Sequence, residues 1–244
     1  DLTLDTDATV ASITINNGST FTATDGNSRT LTVSDGGFVT NNGAFTANNG
    51  TIIFDGDGTI DGANTITFND LQLNGTIDFS TAPTISNELR LNPEGSIDSN
   101  SPSFSTATLF YNREITQGLE WPGTDGPDNI TVNSGTVTLS DDRSVAGTLI
   151  VNSDGTFDGN DGTITFSDNA TFDLDNGGTF TASTSTIILQ ENVTLSGPFT
   201  FNNLTINDEE DLSGETINGT LRLNPDASVA STGTPNYGGT ATLA

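Results

Sequence analysis

An exact repeat separated by 132 residues is the feature that most constrains this chain. Residues 89–93, with the sequence Leu-Arg-Leu-Asn-Pro, recur unchanged at 221–225. Other apolar residues match at separations of 133 to 136: Phe21 with Phe157, Ile52 with Ile187, Ile66 with Phe199, and Phe68 with Phe201. Self-similarity at a fixed period is typical of solenoids and arrays. We therefore predict one continuous solenoid over 1–244, with a partial superrepeat in 1–110, a junction at 111–135 and a second partial superrepeat in 136–244.

Short segments with apolar first and third residues recur within each superrepeat, on average every 19 residues. Alternation of this kind is typical of strands whose alternate side chains point inward. Asn-Gly, Asp-Gly and Gly-Gly turns separate the segments. The first residues of these anchors are Ile13, Leu31, Ile52, Leu71, Leu89, Leu109, Ile130, Leu149, Ile164, Ile187, Leu204, Leu221 and Ala241.

A single anchor per period favours a stacked coil over the antiparallel sandwiches, barrels and propellers that also contain short strands. The pattern predicts an all-β fold, a right-handed parallel β-helix (β-solenoid), with about 19 residues per coil and about 13 coils. Each coil of such a fold buries its apolar side chains against its neighbours.

Asn follows the anchors at eight of thirteen places. Asn tolerates the left-handed backbone region that a corner requires, and stacked amides hydrogen-bond to one another as in cross-β ladders. We therefore predict a structural Asn ladder along one corner, formed by Asn16, Asn74, Asn92, Asn112, Asn133, Asn152, Asn207 and Asn224. The alternative is that Asn is merely common after strands in a chain with 27 Asn and 43 Thr.

The charge and the absent residue types exclude several functions. Five Arg against 32 acidic residues give a net charge of −27, which repels phosphate backbones and anionic lipids, so we expect binding neither to nucleic acid nor to membrane surfaces. The sequence has no run of about 18 apolar residues, so we expect no membrane insertion. The sequence contains no His, Cys or Lys, which removes Ser-His and Cys-His catalysis and thiolate or imidazole metal sites. Paired carboxylates could still cleave sugars, but the Asp residues lie mostly in turns, and we predict that the chain is not an enzyme.

Acidic turns are candidates for calcium, which binds carboxylate and carbonyl oxygens. The pattern points to Asp55 and Asp57 in one turn and to Asp158 and Asp161 in another. None of these turns matches the EF-hand loop or the glycine-rich nonapeptide repeat, and solvated turn carboxylates are the alternative. We expect no required cofactor, with calcium as an accessory ion.

One stretch, 111–122, departs from the coil pattern and contains the only Trp. Trp121 beside Glu120 and Arg113 could form a platform on which a glycan ring stacks. The alternative is a loop that folds back and packs its ring against the solenoid.

This stretch and its neighbours carry a resemblance. The segments Thr-Leu-Phe-Tyr-Asn-Arg at 108–113, Gly-Leu-Glu-Trp-Pro at 118–122, Asn-Ile-Thr-Val-Asn-Ser-Gly at 129–135 and Gly-Thr-Leu-Ile-Val-Asn at 147–152 resemble repeat regions of giant secreted surface proteins of Bacteroidota. Those proteins are β-solenoid adhesins or fibres exported by the type IX system. The resemblance implies an extracellular, cell-surface location and identifies no catalytic residue.

Two functions follow from these observations. The first is a structural repeat segment of an extracellular filament, stalk or adhesin, whose partners are further copies of the repeat, either in one long chain or as a homopolymer, together with a glycan or another surface ligand. The second is a carbohydrate-binding β-helix or, as a weaker alternative, a carbohydrate-cleaving one. Since the chain lacks an initiator Met, we expect it to be a piece of a longer protein.

Overall fold

The chain forms two compact units. A computed structural model describes residues 1–24, 26–230 and 234–238, together with the strand at 242–243. Residues 1–113 with 118–127 form the first unit, and residues 114–117 with 128–244 form the second. The prediction of an all-β parallel β-solenoid is confirmed, with about 12 turns rather than about 13.

The first unit is built from fifteen short strands. They are β1 (Leu2–Thr3), β2 (Ala8–Val10), β3 (Ile13–Ile15), β4 (Thr20–Thr22), β5 (Thr30–Ser34), β6 (Gly37–Asn41), β7 (Ala44–Thr46), β8 (Thr51–Asp55), β9 (Gly58–Asp61), β10 (Thr67–Leu73), β11 (Thr76–Phe79), β12 (Thr84–Leu91), β13 (Ser96–Ser99), β14 (Ser103–Phe104) and β15 (Thr108–Asn112). They pair in parallel in the orders β1-β4-β7, β2-β5-β8-β10-β12-β15 and β3-β6-β9-β11-β13, with β14 also on β12.

The second unit contains the remaining strands. They are β16 (Ile115–Thr116), β17 (Asn129–Thr138), β18 (Arg143–Val145), β19 (Thr148–Asp158), β20 (Thr163–Phe166), β21 (Thr171–Asp173), β22 (Thr179–Thr181), β23 (Thr186–Leu189), β24 (Thr194–Ser196), β25 (Thr200–Phe201), β26 (Asn203–Ile206), β27 (Glu209–Glu210), β28 (Thr216–Ile217), β29 (Thr220–Leu223), β30 (Ser228–Val229), β31 (Asn236–Tyr237) and β32 (Thr242–Leu243). Their parallel orders are β17-β19-β21-β24, β18-β20-β23-β26-β29-β32, β25-β28-β31 and β27-β30, with β16 on β17 and β22 on β19.

The sequence predicts that each anchor strand pairs with the next anchor strand along the chain, and this is wrong in two places. Ile13 pairs with Val39, not with Leu31. Leu149 pairs with Phe172, whereas Ile164, fifteen residues after Leu149, belongs to a different sheet. The anchor at Ala241 lies outside the described residues. An apolar triplet has the same pattern on every sheet of a coil, so periodicity alone did not separate the sheets.

Paired residues in adjacent turns are separated by 16 to 26 residues along the chain, a wider range than the anchor spacing of 15 to 23. The pairing itself is regular, because the extra residues lie in the corners between strands. The right-handed sense of the coil stays a prediction.

Columns of inward side chains form the core of each unit. In the first unit, β5, β8, β10, β12 and β15 stack Leu31, Ile52, Leu71, Leu89 and Leu109, each at most 2% exposed. Full burial of such a side chain contributes about 1.5–3 kcal/mol. Each column is continuous only because every turn is covered by the next.

A second column is aromatic and recurs in both units. The ring centroids of Phe21 and Phe45 are 5.6 Å apart, and those of Phe45 and Phe68 are 5.4 Å apart. The residues that match them in the superrepeat form the same column in the second unit, with centroid distances of 6.2 Å for Phe157 and Phe180 and 6.0 Å for Phe180 and Phe201.

Backbone pairings also recur at the superrepeat spacing. The matching pairs are Phe68 with Ile85 and Leu71 with Leu89 in the first unit, and Phe201 with Ile217 and Leu204 with Leu221 in the second. Residues that match in the sequence repeat therefore also have matching partners in the adjacent strand.

Glycine is required at several corners by the close approach of the neighbouring turn. Gly62 has a φ of +126°, and a Cβ there would lie 2.2 Å from the carbonyl oxygen of Asn41. Other corners use Asn in the left-handed region, as at Asn48 and Asn160, each with a φ of 48°. These Asn residues are not those that follow the anchors.

We expect the Phe68→Ala variant to lose about 3–5 kcal/mol of unfolding free energy, because the ring is fully buried in the aromatic column. Phe38→Ala is the matched control, since Phe38 is 43% exposed, and its cost should stay within about 0.5 kcal/mol. Urea unfolding followed by circular dichroism measures both. Equal midpoints for the two variants would contradict the assigned core.

Candidate functional site

Amide ladders between turns are the most regular side-chain feature of the structure. In the first unit, Asn112 Nδ2 donates to Asn92 Oδ1 at 3.0 Å, and Asn92 Nδ2 donates to Asn74 Oδ1 at 2.7 Å. Asn74 Nδ2 in turn donates to Asp55 Oδ1 at 3.1 Å. Each of these Asn side chains therefore donates to the turn before it, and Asn74 and Asn92 also accept from the turn after them.

The second unit contains two further ladders. In one, Asn152 donates to Asn133 and Asn176 donates to Asn152, both at 3.0 Å. In the other, Asn207 donates to Gln190 at 2.7 Å, and Asn224 donates to Asn207. The structure thus places seven of the eight predicted ladder residues in such side-chain hydrogen bonds between turns.

Asn16 is the exception, and its prediction is wrong. It follows β3, whose partner is β6, so it lies at a different corner from the ladder and is exposed. Three ladder members were missed: Asp55, Gln190 and Asn176. The first two do follow anchors and have side-chain oxygens, which is the signal that could have identified them.

The Asn residues that form the ladders are not the Asn residues that adopt the left-handed backbone conformation at corners. The sequence predicts that the same Asn supplies both the stacked amide and the left-handed backbone. Among the described residues, the Asn with positive φ are Asn48, Asn100, Asn160, Asn169 and Asn192, and no ladder residue is among them.

Many turn carboxylates also connect adjacent turns. Asp57 Oδ1 accepts the backbone N–H of Thr76 at 2.8 Å, nineteen residues later. The same contact, from an Asp side chain to a backbone N–H of the following turn, joins Asp1 to Thr20, Asp7 to Thr30, Asp35 to Asp57, Asp142 to Thr163 and Asp168 to Glu191. Hydrogen bonds to a charged acceptor contribute about 1.5–3 kcal/mol in favourable settings. These carboxylates therefore stabilise the stacking of turns.

All four residues predicted to bind calcium accept hydrogen bonds, and three of them, Asp55, Asp57 and Asp158, accept one from the following turn. Asp55 begins the first ladder, and Asp57 holds Thr76. Asp158 Oδ1 accepts the Asn160 N–H at 2.9 Å and the Ser183 hydroxyl at 2.8 Å, while Asp161 accepts from Asn160 Nδ2 at 3.2 Å. In the described part of the chain, no three acidic side chains gather in a way that could hold a metal ion. Calcium binding at these turns stays a prediction.

An acidic groove of about 310 Å³ lies in the first unit beside β9, β11 and β13. Asp57, Asp78 and Asp98 are among its lining residues. Asp57 accepts the backbone N–H of Thr76. Asp78 accepts hydroxyl hydrogen bonds from Ser80, at 3.1 Å, and from Ser99. Two of the three carboxylates therefore have structural partners.

The Trp-containing loop is packed, not displayed. Trp121 is 1% exposed and Glu120 is 2% exposed. Glu120 Oε1 accepts the Tyr111 hydroxyl at 3.0 Å and the Gly118 N–H at 2.9 Å, while Arg113 Nη1 donates to the Gly95 carbonyl. A buried ring offers no face to a sugar, so the predicted glycan platform at Trp121, Glu120 and Arg113 is not formed. The packing alternative describes this loop.

Glu210 is an acidic residue that was not among the site residues predicted from the sequence. It is 6% exposed, and within the described residues its Oε1 has no hydrogen-bond partner. Burial, opposed by the Val193 backbone N–H and reinforced by the nearby Asp208 carboxylate, raises the pKa of Glu210 from 4.5 to about 7. Burial also raises the pKa of Glu215, with a contribution from Asp211. The alternation of apolar and polar residues around Glu210 and Glu215 does not distinguish them from the exposed acidic residues nearby in the sequence.

Comparison of the chain with protein-family models, curated proteins and solved structures finds no significant match. No helix in the part of the chain that the structure describes is long and apolar enough to cross a membrane.

We expect Asn92→Ala to reduce the unfolding free energy by about 1–3 kcal/mol, because it removes two ladder hydrogen bonds and leaves a donor and an acceptor unsatisfied. Asn17→Ala, at an exposed turn, is the control and should cost less than about 0.5 kcal/mol. Urea titration of both variants measures the difference. Indistinguishable midpoints would show that the ladder does not stabilise the fold.

Glu210→Gln should change the pH dependence of stability. Because folding raises the pKa of Glu210 from its ordinary value of 4.5 to about 7, the folded chain holds the proton more tightly than the unfolded chain does. The resulting stabilisation is fully present below about pH 4.5 and is lost as the pH rises to about 7. The wild-type chain should therefore lose about 1–3 kcal/mol relative to Glu210→Gln across this window.

Unfolding of the wild type, Glu210→Gln and the exposed control Glu209→Gln, measured at closely spaced pH values, tests this expectation. Glu209→Gln should follow the wild-type curve. A Glu210→Gln curve parallel to the wild type throughout would contradict the assignment.

Proposed function

We propose that this chain is a structural repeat segment of an extracellular filament, stalk or adhesin on a bacterial cell surface. The observation that carries the proposal is the recurrence of the same strand pairings, aromatic column and amide ladder in both units at the superrepeat spacing. Repeated turns whose core is completed by adjacent turns can be added without changing the fold.

The surface chemistry supports the same function. The net charge of −27 keeps a long polymer soluble and discourages lateral collapse through self-repulsion. Turn carboxylates that bond to the next turn combine this charge with stacking, so acidity does not compete with the fold at those positions. The resemblance to giant secreted surface proteins of Bacteroidota agrees with an extracellular location.

The partners in this proposal are further copies of the repeat. They belong to one long chain or to a homopolymer, and an adhesin would in addition carry a site for a glycan or another surface ligand. The buried Trp121 gives the described part of the chain no stacking platform at this loop, so such a ligand would bind elsewhere.

Immunogold electron microscopy tests the location. Antibodies raised against the purified chain should label intact, unpermeabilised source cells on material extending from the surface, and protease treatment of intact cells should remove the label. An antibody against a cytoplasmic protein serves as the control and should require permeabilisation. Labelling that appears only after permeabilisation would overturn the proposal.

Mass measurements separate the two kinds of repeat partner. If the copies lie in one chain, an immunoblot of source cells shows a band far above 25.2 kDa, and the purified chain stays monomeric at all concentrations in light scattering. If the copies form a homopolymer, light scattering shows multiples of 25.2 kDa that grow with concentration. A monomer in solution together with a 25.2-kDa cellular band would contradict both.

A further inference from the structure

The six Asn-Gly pairs of the chain, at 17–18, 42–43, 49–50, 74–75, 176–177 and 218–219, differ in how tightly the fold holds them. In an Asn-Gly pair the glycine nitrogen can attack the Asn side-chain carbonyl, because glycine has no side chain to obstruct the approach. The reaction needs a free glycine nitrogen and an Asn side chain that can turn towards it. Both requirements can be checked in the structure.

Four of the pairs have an engaged glycine nitrogen. The N–H groups of Gly50, Gly177 and Gly219 donate to backbone carbonyls at 3.0, 2.9 and 2.8 Å, and that of Gly43 donates to Asn41 Oδ1 at 3.2 Å. Attack from any of these nitrogens requires that the turn open first.

The pair at 74–75 is held through the Asn side chain. Asn74 Nδ2 donates to Asp55 and Asn74 Oδ1 accepts from Asn92, so the amide is fixed from both adjacent turns. Gly75 is also packed closely, since a Cβ there would lie 2.2 Å from the backbone of Gly56. Rotation of Asn74 towards the Gly75 nitrogen breaks two hydrogen bonds.

The pair at 17–18 carries neither constraint. It occupies the turn between β3 and β4, closed by the Ser19 N–H on the Asn16 carbonyl at 2.9 Å. Both residues are exposed, and no atom lies within 4 Å of the Cβ position of Gly18. Within the described part of the chain, neither the Gly18 N–H nor the Asn17 side chain makes a hydrogen bond.

We propose that Asn17 is the site at which the folded chain deamidates, and that the amide ladder protects Asn74 from the same reaction. The Gly18 nitrogen forms a bond to Asn17 Cγ while water carries its proton to Asn17 Nδ2. The Cγ–Nδ2 bond breaks and ammonia leaves. The resulting cyclic imide adds one water molecule and opens to aspartate or isoaspartate. The turn gains one carboxylate, and the isoaspartate form carries an extra backbone carbon between β3 and β4.

Peptide mapping by mass spectrometry after incubation of the folded chain at mildly alkaline pH tests the proposal. Asn17 should convert first, with Asn74 slower by about tenfold or more, since its reaction requires that two hydrogen bonds be broken. The same chain in urea is the reference, where all six pairs should convert at similar rates. Asn17→Gln, which cannot form the five-membered imide, should lose the early conversion.

A second variant isolates the role of the ladder. Asn92→Ala removes the donor to Asn74 Oδ1, so under folded conditions it should accelerate conversion at Asn74 and leave the rate at Asn17 unchanged. Conversion of Asn74 as fast as Asn17 in the folded wild type would overturn the proposal. So would a folded chain in which Asn17 stays intact although it converts in urea.

Discussion

Each turn of this chain depends on its neighbours for both its apolar and its polar groups. The strands are two to eleven residues long and pair in parallel with residues at least 16 positions away, so no strand has a partner within its own turn among the pairings of the described residues. A turn in isolation would expose its Leu, Ile or Phe and leave its backbone N–H and C=O groups without partners. Stacking supplies the core, the backbone hydrogen bonds and the side-chain ladders together.

The high negative charge is compatible with a stable fold because many carboxylates accept a hydrogen bond from the following turn. Asp57 and Asp142 each bind a backbone N–H of the following turn, and Asp55 accepts the first amide of a ladder. Glu210 is the opposite case, because its carboxyl is buried with an oxygen that lacks a partner within the described residues. Position relative to the adjacent turn, not charge, decides whether an acidic residue stabilises this fold.

The fold class could be predicted because the strand period and the 132-residue superrepeat are both visible in the sequence without knowledge of the fold. The prediction failed where two sheets present the same pattern: Ile13 and Ile164 have the apolar spacing of an anchor but pair on sheets other than those of Leu31 and Leu149. Only the number of residues in each corner separates strands of one sheet from strands of another, and that number depends on how each turn closes in three dimensions.

Side-chain roles were predictable where the pattern itself creates the contact, since an Asn repeated after successive strands, as at Asn74, Asn92 and Asn112, meets its counterpart one turn away. The burial of Trp121 and the missing partner of Glu210 Oε1 have no periodic signal, because each depends on the position of atoms in a single irregular environment.

The first amide ladder has a direction, and this restricts how such a chain can grow by duplication. Every Asn in it gives a hydrogen to the preceding turn, whereas an ionised Asp55 only accepts. A duplicated turn with Asn at this position, inserted after Asp55, extends the ladder with every bond retained. The same turn inserted directly before Asp55 receives no hydrogen from it. The carboxylate is therefore the end of this ladder, and the ladder can lengthen only on the side that follows Asp55 in the chain.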